Sequence, residues 1–470
     1  MSNKRLSCVL GMVLCVTVLL TACNAKDPSA GEATGSSDNS NGKEVVRVVV
    51  PGLSEETTVD PISGIKSLSI SDFEAFLEEK IPQYDIQLTS IPWDGWIQKM
   101  EVLATSGEVD VGFFTNQEAV PNWYMDLTEY LKTDEKVNFD NLSDIWMDPA
   151  VYYTTYKSFN YPDDTGKVYG LPMTIGCNGI IYDTKLFKEW GVKEPDLNMS
   201  FSDLVSLSEQ TTGNNPVTGE VNYGAYLIPT WTEWYAVSYD AVKSLKSESM
   251  NIKDYNISEY AEYIKNSEEV RNYFSDIARL VNSAPNGIAT SSGAENFLTE
   301  NNNIAINFDT NNFVKKYMAY VYAGDKEATD RYKMILIPKG ESGMQGFPEF
   351  FRYSIVKSSK NPDAAWEVIR EMTTNKDIVD FYLKNYASDK LPCLKDTSGM
   401  SLMDYEINKE RYEYQSKTTF LTDDYWNWRT PIQTVNNDLI TKSCTVDEAV
   451  NNFYNGVTKW VTDLQAQLKN

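Results

Sequence analysis

The stretch of residues 168–192, VYGLPMTIGCNGIIYDTKLFKEWGV, constrains the fold more than any other part of this chain. Residues 168–172 read as a strand end closed by a proline, and residues 180–182 resume a β pattern. An amphipathic helix then runs over residues 183–190 and stops at Gly191, where a left-handed C-cap is least costly for glycine. The pattern predicts one continuous crossing from one compact body into another.

The length of the chain predicts two domains, because 470 residues exceed what one hydrophobic core usually serves. The early part of the chain alternates between buried strands and helices. The predicted strands are residues 45–50, 86–91 and 109–114, and the helices between them are residues 72–80 and 97–105. This alternation is typical of an α/β fold with a mostly parallel sheet.

Two capping-box spacings mark predicted helix starts. They are Ser71 with Glu74, and Thr445 with Glu448. After the second box, apolar residues recur at helical spacing, which predicts a core-facing helix at the C-terminus.

The charge and the absence of histidine exclude several classes of function. A formal charge of −25 repels nucleic acid, and no Lys/Arg stripe overcomes it. Without histidine the chain has no Ser-His or Cys-His triad and no His-based metal site. We therefore expect no nucleic-acid partner, no metal and no cofactor. An enzyme built on this chain would have to use carboxylates, Lys, Tyr or Cys.

The N-terminus is predicted to be an export signal. Lys4 and Arg5 precede an apolar run over residues 6–20 that is too short to span a bilayer comfortably. The tetrapeptide Leu-Thr-Ala-Cys that ends at Cys23 resembles a bacterial lipobox, which predicts a signal peptide over residues 1–22 and a diacylglyceryl group on Cys23. Two acyl chains are what stable membrane anchoring needs. The alternative is an ordinary secretory signal with an incidental cysteine.

The mature chain is expected to begin with a linker and to contain three further cysteines. Residues 23–43 are rich in Ser, Gly, Asn and Asp and lack apolar periodicity, so they predict a flexible segment with a reach of roughly 25 Å. Cys177, Cys393 and Cys444 follow. Three is an odd number, so at most one disulfide can form within the chain, and we expect buried free thiols.

Taken in order, three stretches resemble the extracellular solute-binding proteins of bacterial ABC importers, the maltose-binding-protein-like family. The segment YGLP…N…IIYDTKLFKEWGV is similar to the first crossing between lobes in that family, and ATSGEVDVGFFTN is similar to a strand followed by a loop that faces the ligand cleft. The strand at residues 304–308 is similar to a third element, although residues 301–303 are asparagines where glycine is usual. The resemblance covers nearly all of the chain after the signal and linker.

The resemblance implies a two-lobed fold of the periplasmic-binding-protein type II class, in which each lobe is a mostly parallel sheet flanked by helices. A second crossing at residues 339–346 and a third at residues 391–392 imply a three-segment hinge. The expected N-terminal lobe is residues 44–175 plus 342–393, and the expected C-terminal lobe is residues 179–338 plus 398–470. Hinge closure around a ligand is the motion that accompanies such a fold.

A pair of tryptophans, Trp231 and Trp234, is the first candidate for ligand binding. A pyranose has C–H patches on its faces and hydroxyls at its edge, so its site needs flat rings and planar polar groups. The two indoles are three residues apart, which one helical turn brings to the same side. The resemblance places this stretch among the aromatic residues of the cleft. The alternative is a helix that packs both indoles into the core.

The segment YWNWR at residues 425–429 is the second aromatic candidate. The resemblance places it at another ring-bearing stretch of the family. Adjacent aromatic residues cannot all face one way, so we predict Trp426 as the ligand contact and Trp428 as a packing residue.

The remaining candidates follow strand ends or lie at crossings, because open α/β sheets bind ligands at the carboxyl ends of their parallel strands. Trp93 follows the strand at residues 86–91 and is preferred over Trp96. The others are Phe114, Asn116 and Gln117 at the carboxyl end of the strand at residues 109–114, Asp309 and Asn312 after residues 304–308, and Asn178 and Glu349 at the crossings. For Asp309 and Asn312, turn capping is the alternative use.

These observations predict a lipid-anchored receptor that captures a neutral saccharide, with an oligosaccharide preferred, and delivers it to the membrane subunits of an ABC permease. We expect it to perform no chemistry and to act as a monomer on the extracellular face of the cytoplasmic membrane. Two alternatives stay open. One is a surface glycoside hydrolase with paired carboxylates, and the other is the same fold with a peptide or another polar solute as ligand.

Overall fold

The computed structural model describes most of the chain after its N-terminal segment. The described residues are 42–59, 66–115, 120–154, 162–164, 166–176, 179–228, 232–239, 241, 256–285, 294–309, 312–338, 340, 349–402 and 426–467. From Lys43 onward the chain forms one compact unit. The predicted signal peptide and Cys23 lie outside the described residues. Among the described residues, no helix has both the length and the apolar character that crossing a membrane requires.

The described strands form two main sheets and one small two-stranded sheet. In chain order they are β1 (Glu44–Pro51), β2 (Thr58–Val59), β3 (Lys66–Ser67), β4 (Tyr84–Ile91), β5 (Val111–Phe114), β6 (Leu171–Gly176), β7 (Gly179–Asp183), β8 (Gly213–Asn214), β9 (Val221–Tyr226), β10 (Ile304–Asn307), β11 (Tyr332–Leu336), β12 (Phe350–Ile355) and β13 (Lys390–Pro392).

The described helices connect and cover these strands. In chain order they are α1 (Ile70–Lys80), α2 (Trp96–Ser106), α3 (Val120–Trp123), α4 (Thr128–Thr133), α5 (Leu142–Ile145), α6 (Asp148–Thr154), α7 (Thr184–Trp190), α8 (Phe201–Gln210), α9 (Trp234–Ser238), α10 (Ile257–Asn266), α11 (Glu268–Asn282), α12 (Asn312–Ala323), α13 (Lys326–Arg331), α14 (Pro362–Thr374), α15 (Lys376–Asn385), α16 (Trp426–Ile440) and α17 (Val446–Gln467). A short 3₁₀ turn occupies Pro162–Asp164.

The first sheet has the spatial order β13, β6, β12, β5, β1, β4. β1 runs parallel to β4 and β5, as the alternation of strands and helices predicts. β12 runs antiparallel to both β5 and β6, and β13 runs antiparallel to β6. Consequently β1, β4, β5 and β6 end at the same side of the sheet, where β12 and β13 begin. We call this side the carboxyl end of the first sheet.

The second sheet has the spatial order β11, β7, β10, β9, β8. β9 and β10 are parallel, whereas β7 runs antiparallel to its neighbours β10 and β11. β8 pairs antiparallel with β9. Consequently β9, β10 and β11 end at the side where β7 begins, and we call this side the carboxyl end of the second sheet.

Both sheets are more mixed than the expected mostly parallel arrangement, so that part of the prediction is corrected. Parallel neighbours require a crossover connection, usually a helix. β7 enters a different sheet directly after β6, and β12 returns to the first sheet only after the described strands of the second sheet. Only two residues separate β6 from β7, so no helical crossover sets the direction of β7 relative to β6. The α/β class itself is confirmed.

Two apolar cores hold the sheets and helices together. The first includes Val48 of β1 and Phe73 of α1, and it continues through Val314 of α12 to Met334 of β11. The second covers the other side of the second sheet, where Ile306 lies in one cluster with Phe453 of α17. The first core thus extends from the first sheet to the second, and α12 is part of that connection.

The helix starts test the two predicted capping boxes. The box at α17 is confirmed: Thr445 N donates to Glu448 Oε2 at 2.8 Å, and Glu448 N donates to Thr445 Oγ1 at 3.3 Å. At α1 the prediction is wrong by two residues, because Ser69 and Asp72 form the box. Aspartate at the third helical position reaches back to the cap as glutamate does.

The two described cysteines, Cys393 and Cys444, are not joined to each other by a disulfide. Cys393 is buried and Cys444 is half-buried. Burial raises the pKa of the Cys444 thiol above its ordinary value. Cys177 lies outside the described residues.

Candidate functional site

The carboxyl ends of the two sheets meet at the crossing between β6 and β7. β6 ends at Gly176 and β7 begins at Gly179, so three Cα–Cα steps, at most about 11 Å, join the two sheets. Each glycine lies at the carboxyl end of its own sheet. Open α/β sheets bind ligands at their carboxyl ends. The space bounded by these two ends is therefore the candidate binding site.

Trp93 provides an exposed aromatic surface at the carboxyl end of the first sheet, where it follows β4. It is 43% exposed. The rings of Trp96, Phe113 and Phe351 pack against it at centroid distances of 6.4, 5.8 and 5.7 Å, with nearly perpendicular planes. A Cβ on Gly52 would come within 2.6 Å of Trp93 Nε1, so glycine is needed beside the indole. The ring is fixed by packing and still reachable from solvent.

Lys390 places a charge beside this aromatic surface, at the start of β13. Its Nζ lies 4.4 Å from the ring centroid of Phe351 and 6.0 Å from that of Trp93. It also lies 2.9 Å from Asp389 Oδ2. Burial opposes the charge on Lys390, but the carboxylates of Asp389 and Glu349 hold its pKa above the ordinary value. Burial likewise opposes the charge on Asp389, whose pKa is nevertheless lowered by Lys390. The pair is therefore ionised at neutral pH.

Glu349 lies at the junction of the two sheets, where the sequence places it. Its carbonyl oxygen accepts a hydrogen bond from Gly176 N at 2.9 Å. A Cβ on Gly176 would lie 3.8 Å from Glu349 Oε2, so the carboxylate extends over the end of β6. This position suits a contact with a ligand hydroxyl.

Phe114 is at the predicted strand end, but its ring packs beneath the site instead of lining it. It is 2% exposed, and its ring centroid is 5.3 Å from that of Tyr124. A Cβ on Gly170 would come within 2.6 Å of the Phe114 ring. The guanidinium carbon of Arg352 lies 5.2 Å from the ring centroid, and Arg352 Nη1 donates to the carbonyl of Thr115 at 2.7 Å. Arg352 therefore supports the start of the loop after β5.

Glu233 and Arg429 form a buried ion pair at the carboxyl end of the second sheet. Glu233 follows β9, Arg429 lies in the first turn of α16, and they are 0% and 4% exposed. Arg429 Nε donates to Glu233 Oε1 at 2.7 Å, and Arg429 Nη2 donates to the same oxygen. Gln433 Nε2 donates to it as well, at 2.8 Å. Within the described part of the chain, Glu233 Oε2 has no hydrogen-bond partner.

The neighbouring residue Thr232 is bonded to the same helix. Asn436 Nδ2 donates to Thr232 Oγ1 at 2.9 Å, and Asn436 is fully buried. Arg429, Gln433 and Asn436 are spaced i, i+4 and i+7, so they lie on one face of α16. This polar face of α16 holds Thr232 and Glu233 in place.

Trp234 is packed into the core, which agrees with the alternative and not with the predicted ligand contact. It is 3% exposed and belongs to the second core, and the guanidinium carbon of Arg429 lies 4.9 Å from its ring centroid. For Trp231 and Trp234 to share one face of a helix, a helical turn would have to end at Trp234. Helix α9 instead begins at that residue. The indole therefore turns inward with Tyr235, whose hydroxyl donates to Phe308 O at 2.8 Å.

Asp309 follows β10 as predicted, but it is only 2% exposed. Its backbone N–H donates to Asn307 Oδ1 at 2.8 Å. Burial, and next the charge of Asp309, raise the pKa values of Tyr226 and Tyr235 above the ordinary value. Asp309 is therefore a buried residue at the carboxyl end of the second sheet and not an exposed side chain.

Several predicted ligand contacts cannot be placed. Asn116, Gln117, Asn178 and Trp231 lie outside the described residues. Trp426 and Asn312 begin α16 and α12, but their side chains are not described. The roles assigned to these six residues stay predictions.

Sequence reasoning missed Lys390 and the polar face of α16. Lys390 directly precedes residues 391–392, which the sequence identifies only as a crossing. Arg429, Gln433 and Asn436 recur with the period of a helix and so form a polar stripe along one face. On a helix that packs against the core, such a stripe indicates a buried polar contact.

The family comparison matches two thirds of the chain. The family model described as bacterial extracellular solute-binding protein matches residues 66–378. A curated relative, the multiple sugar-binding protein of Streptococcus mutans, is 30% identical over 198 residues, which is 42% of this chain and 39% of that protein. The match thus spans about two fifths of the relative's length.

Solved structures with a similar fold cover most of the chain. The sugar-binding protein MalE from Xanthomonas citri aligns with a TM-score of 0.64 and 15% identity, over 91% of this chain and 99% of that one. An ABC substrate-binding protein from Listeria monocytogenes, in complex with cycloalternan, aligns with a TM-score of 0.60 and 14% identity, over 89% and 99%. This likeness establishes the fold and confirms the two-lobed α/β class predicted from the sequence.

The different environments of Trp93 and Trp96 can be tested through stability. Trp96 is 8% exposed and its ring stacks on Phe113 at 4.9 Å, so Trp96→Ala should lower the free energy of unfolding by about 4 kcal/mol. Trp93→Ala removes a ring that is 43% exposed and should cost less, about 2 kcal/mol. Urea unfolding measures both values. Equal losses would show that Trp93 is a core residue and not a binding surface.

Proposed function

Since the chain belongs to the family of bacterial extracellular solute-binding proteins, we propose that it captures a neutral saccharide between its two sheets and delivers it to the membrane subunits of an ABC transporter. The observation that carries the saccharide assignment is the exposed indole of Trp93 at the carboxyl end of the first sheet. Family membership identifies a binding protein and not an enzyme, so the glycoside hydrolase alternative is set aside.

A partly exposed indole held by packing suits the C–H face of a sugar ring. Covering roughly 80 Å² of that face gives about 2 kcal/mol at ~25 cal/mol/Å². Association costs at least ~4 kcal/mol because the ligand loses translational and rotational freedom. Micromolar capture, about −8 kcal/mol, thus needs more than one stacked face together with hydrogen bonds. This supports an oligosaccharide over a single sugar ring.

The charges at the site favour an uncharged ligand. Lys390 is paired with Asp389, and Arg429 is paired with Glu233, so neither cation offers an uncompensated charge to an anionic ligand. The formal charge of −25 on the whole chain also repels polyanions. The relatives are in line with this choice: one is named for sugar binding, and one was solved with cycloalternan.

Ligand capture can be tested by thermal unfolding of the full-length protein in mild detergent. Maltose, isomaltose, cellobiose and xylobiose are each added, since a compound that binds only the folded state raises the unfolding midpoint. At least one sugar should raise the midpoint and be recovered intact. Trp93→Ala should lose the shift, while Phe139→Ala, at a 45% exposed ring outside the site, should keep it. A shift with peptides and none with sugars would contradict the saccharide assignment.

Binding should not change between about pH 5 and about pH 9. The pKa of Asp389 is below its ordinary 3.8, so its attraction for Lys390 is lost only as the pH falls through that lower value. The pKa of Lys390 is above its ordinary 10.5, so its contribution is lost only as the pH rises through that higher value. The chain has no histidine to titrate between them. Calorimetric titration at three pH values checks this, and a change of more than about threefold in affinity would contradict it.

The extracellular receptor is proposed to be held at the membrane by lipid on Cys23. The Leu-Thr-Ala-Cys motif supports this proposal, and the residues that follow it suit a flexible linker. In fractionated cells the natural protein should sediment with membranes, and Cys23→Ser should appear in the soluble fraction. Equal distributions of the two proteins would argue against the anchor.

A further inference from the structure

Three residues form a row across neighbouring strands at the carboxyl end of the first sheet. Gly176 ends β6, Lys390 begins β13, and Glu349 directly precedes β12. Gly176 N donates to Glu349 O at 2.9 Å, and Gly176 is the register partner of Lys390. Residues opposite each other in adjacent strands point to the same face of a sheet. The side chains of Glu349 and Lys390 therefore lie on one face, on either side of Gly176.

The glycine leaves a gap in the middle of this row. Adjacent strands are about 4.8 Å apart, so the backbones that carry Glu349 and Lys390 are separated by roughly 10 Å. A Cβ on Gly176 would lie 3.6 Å from Glu349 Cβ and 3.8 Å from Glu349 Oε2, which are ordinary contact distances. Gly176 itself is half-buried. The gap therefore has room for a small group, and alanine would fit there without displacing its neighbours.

The side chains on the two sides of the gap are complementary to a hydroxyl group. Lys390 Nζ donates to Asp389 Oδ2 at 2.9 Å, and this is its one hydrogen bond within the described residues. An ammonium has three N–H donors, so two remain for a ligand. The carboxylate of Glu349 is an acceptor. Since a hydroxyl both donates and accepts, one hydroxyl or an adjacent pair can bond to both side chains.

The gap adjoins the aromatic surface of Trp93. Lys390 Nζ lies 4.4 Å from the ring centroid of Phe351 and 6.0 Å from that of Trp93. The two rings are 5.7 Å apart, and Trp93 is 43% exposed. The exposed ring and the polar gap thus border the same ammonium, so one sugar can contact both.

We propose that the gap over Gly176 is a hydroxyl-binding subsite for the sugar that stacks on Trp93. Lys390 donates to a hydroxyl of that sugar, and Glu349 accepts from the same hydroxyl or from its neighbour. Asp389 is a positioning residue, because it holds the ammonium at the rim of the gap. The inference rests on the proposed function and adds to it the point at which a sugar hydroxyl is recognised.

The chain offers a matched control in Lys80, the last residue of α1. Its Nζ lies 3.0 Å from Asp377 Oδ2 and 5.2 Å from the ring centroid of Phe76, so it has the same kinds of neighbour as Lys390. The strand that follows α1 is β4, which begins at the opposite end of the first sheet from the gap. Lys80→Met should therefore remove a similar ion pair without changing the site.

The experiment compares full-length wild type, Gly176→Ala, Lys390→Met, the double variant of these two, and Lys80→Met, all in mild detergent. Unfolding midpoints are measured without sugar, and dissociation constants are measured for maltose, isomaltose, cellobiose and xylobiose. Gly176→Ala should keep or raise the midpoint, because alanine has fewer unfolded conformations than glycine. It should weaken binding of the sugars that the wild type binds by about tenfold or more, because its methyl group fills the gap.

The lysine variants test the donor. Lys390→Met should weaken binding about tenfold, since a hydrogen bond from a charged group is lost. Lys80→Met should change affinity less than about twofold. In the double variant the two losses should not add in full, because both changes remove the same contact.

Wild-type affinity in Gly176→Ala would overturn the inference, because the ligand would then not enter the gap. Equal affinities of Lys390→Met and Lys80→Met would also overturn it, and so would losses that add in full in the double variant. In each of these cases the proposed function would stand. Gly176→Ala decides the matter if Lys390→Met does not fold. If the wild type binds none of the four sugars, the proposed function fails and this inference fails with it.

Discussion

The short connection between β6 and β7 is the constraint on which the rest of the structure depends. Gly176 and Gly179 belong to different sheets, and three Cα–Cα steps between them cannot exceed about 11 Å. Because β6 ends where β4 and β5 end, and β7 begins where β9 and β10 end, this connection joins the two carboxyl ends. The strand directions then decide which residues can reach the junction. Loops at the opposite ends of the two sheets cannot reach this junction.

The two sides of the candidate site are held by different physical means. On the first sheet, Trp93 is fixed by three perpendicular rings and by the absence of a side chain on Gly52. Such packing restricts the position of a ring through its shape and places no requirement on the polar groups around it. On the second sheet, Glu233 is fixed by hydrogen bonds from the polar face of α16. Hydrogen bonds restrict direction as well as distance.

The sequence predicts the elements of this protein better than the exposure of its side chains. The strands, the crossing after residue 176 and the capping box at Thr445 follow from local patterns, because each depends on neighbouring residues. Trp93 and Trp234 both follow strands and look equivalent in sequence, yet one is 43% and the other 3% exposed. Trp234 belongs to the second core and is also covered by Arg429, and both surroundings come from distant parts of the chain. No local pattern around Trp234 contains that information.

Folding contacts also affect the affinity expected of the proposed saccharide site. Stacking one sugar face contributes about 2 kcal/mol, which is less than the cost of association. Ordering loose side chains on binding would add roughly 0.5–1.5 kcal/mol for each of them. Trp93 is already held by its neighbouring rings and by the lack of a side chain on Gly52, before any ligand arrives. The cost of ordering this ring is therefore met when the chain folds, which is the property that the proposed stacking on a sugar face requires.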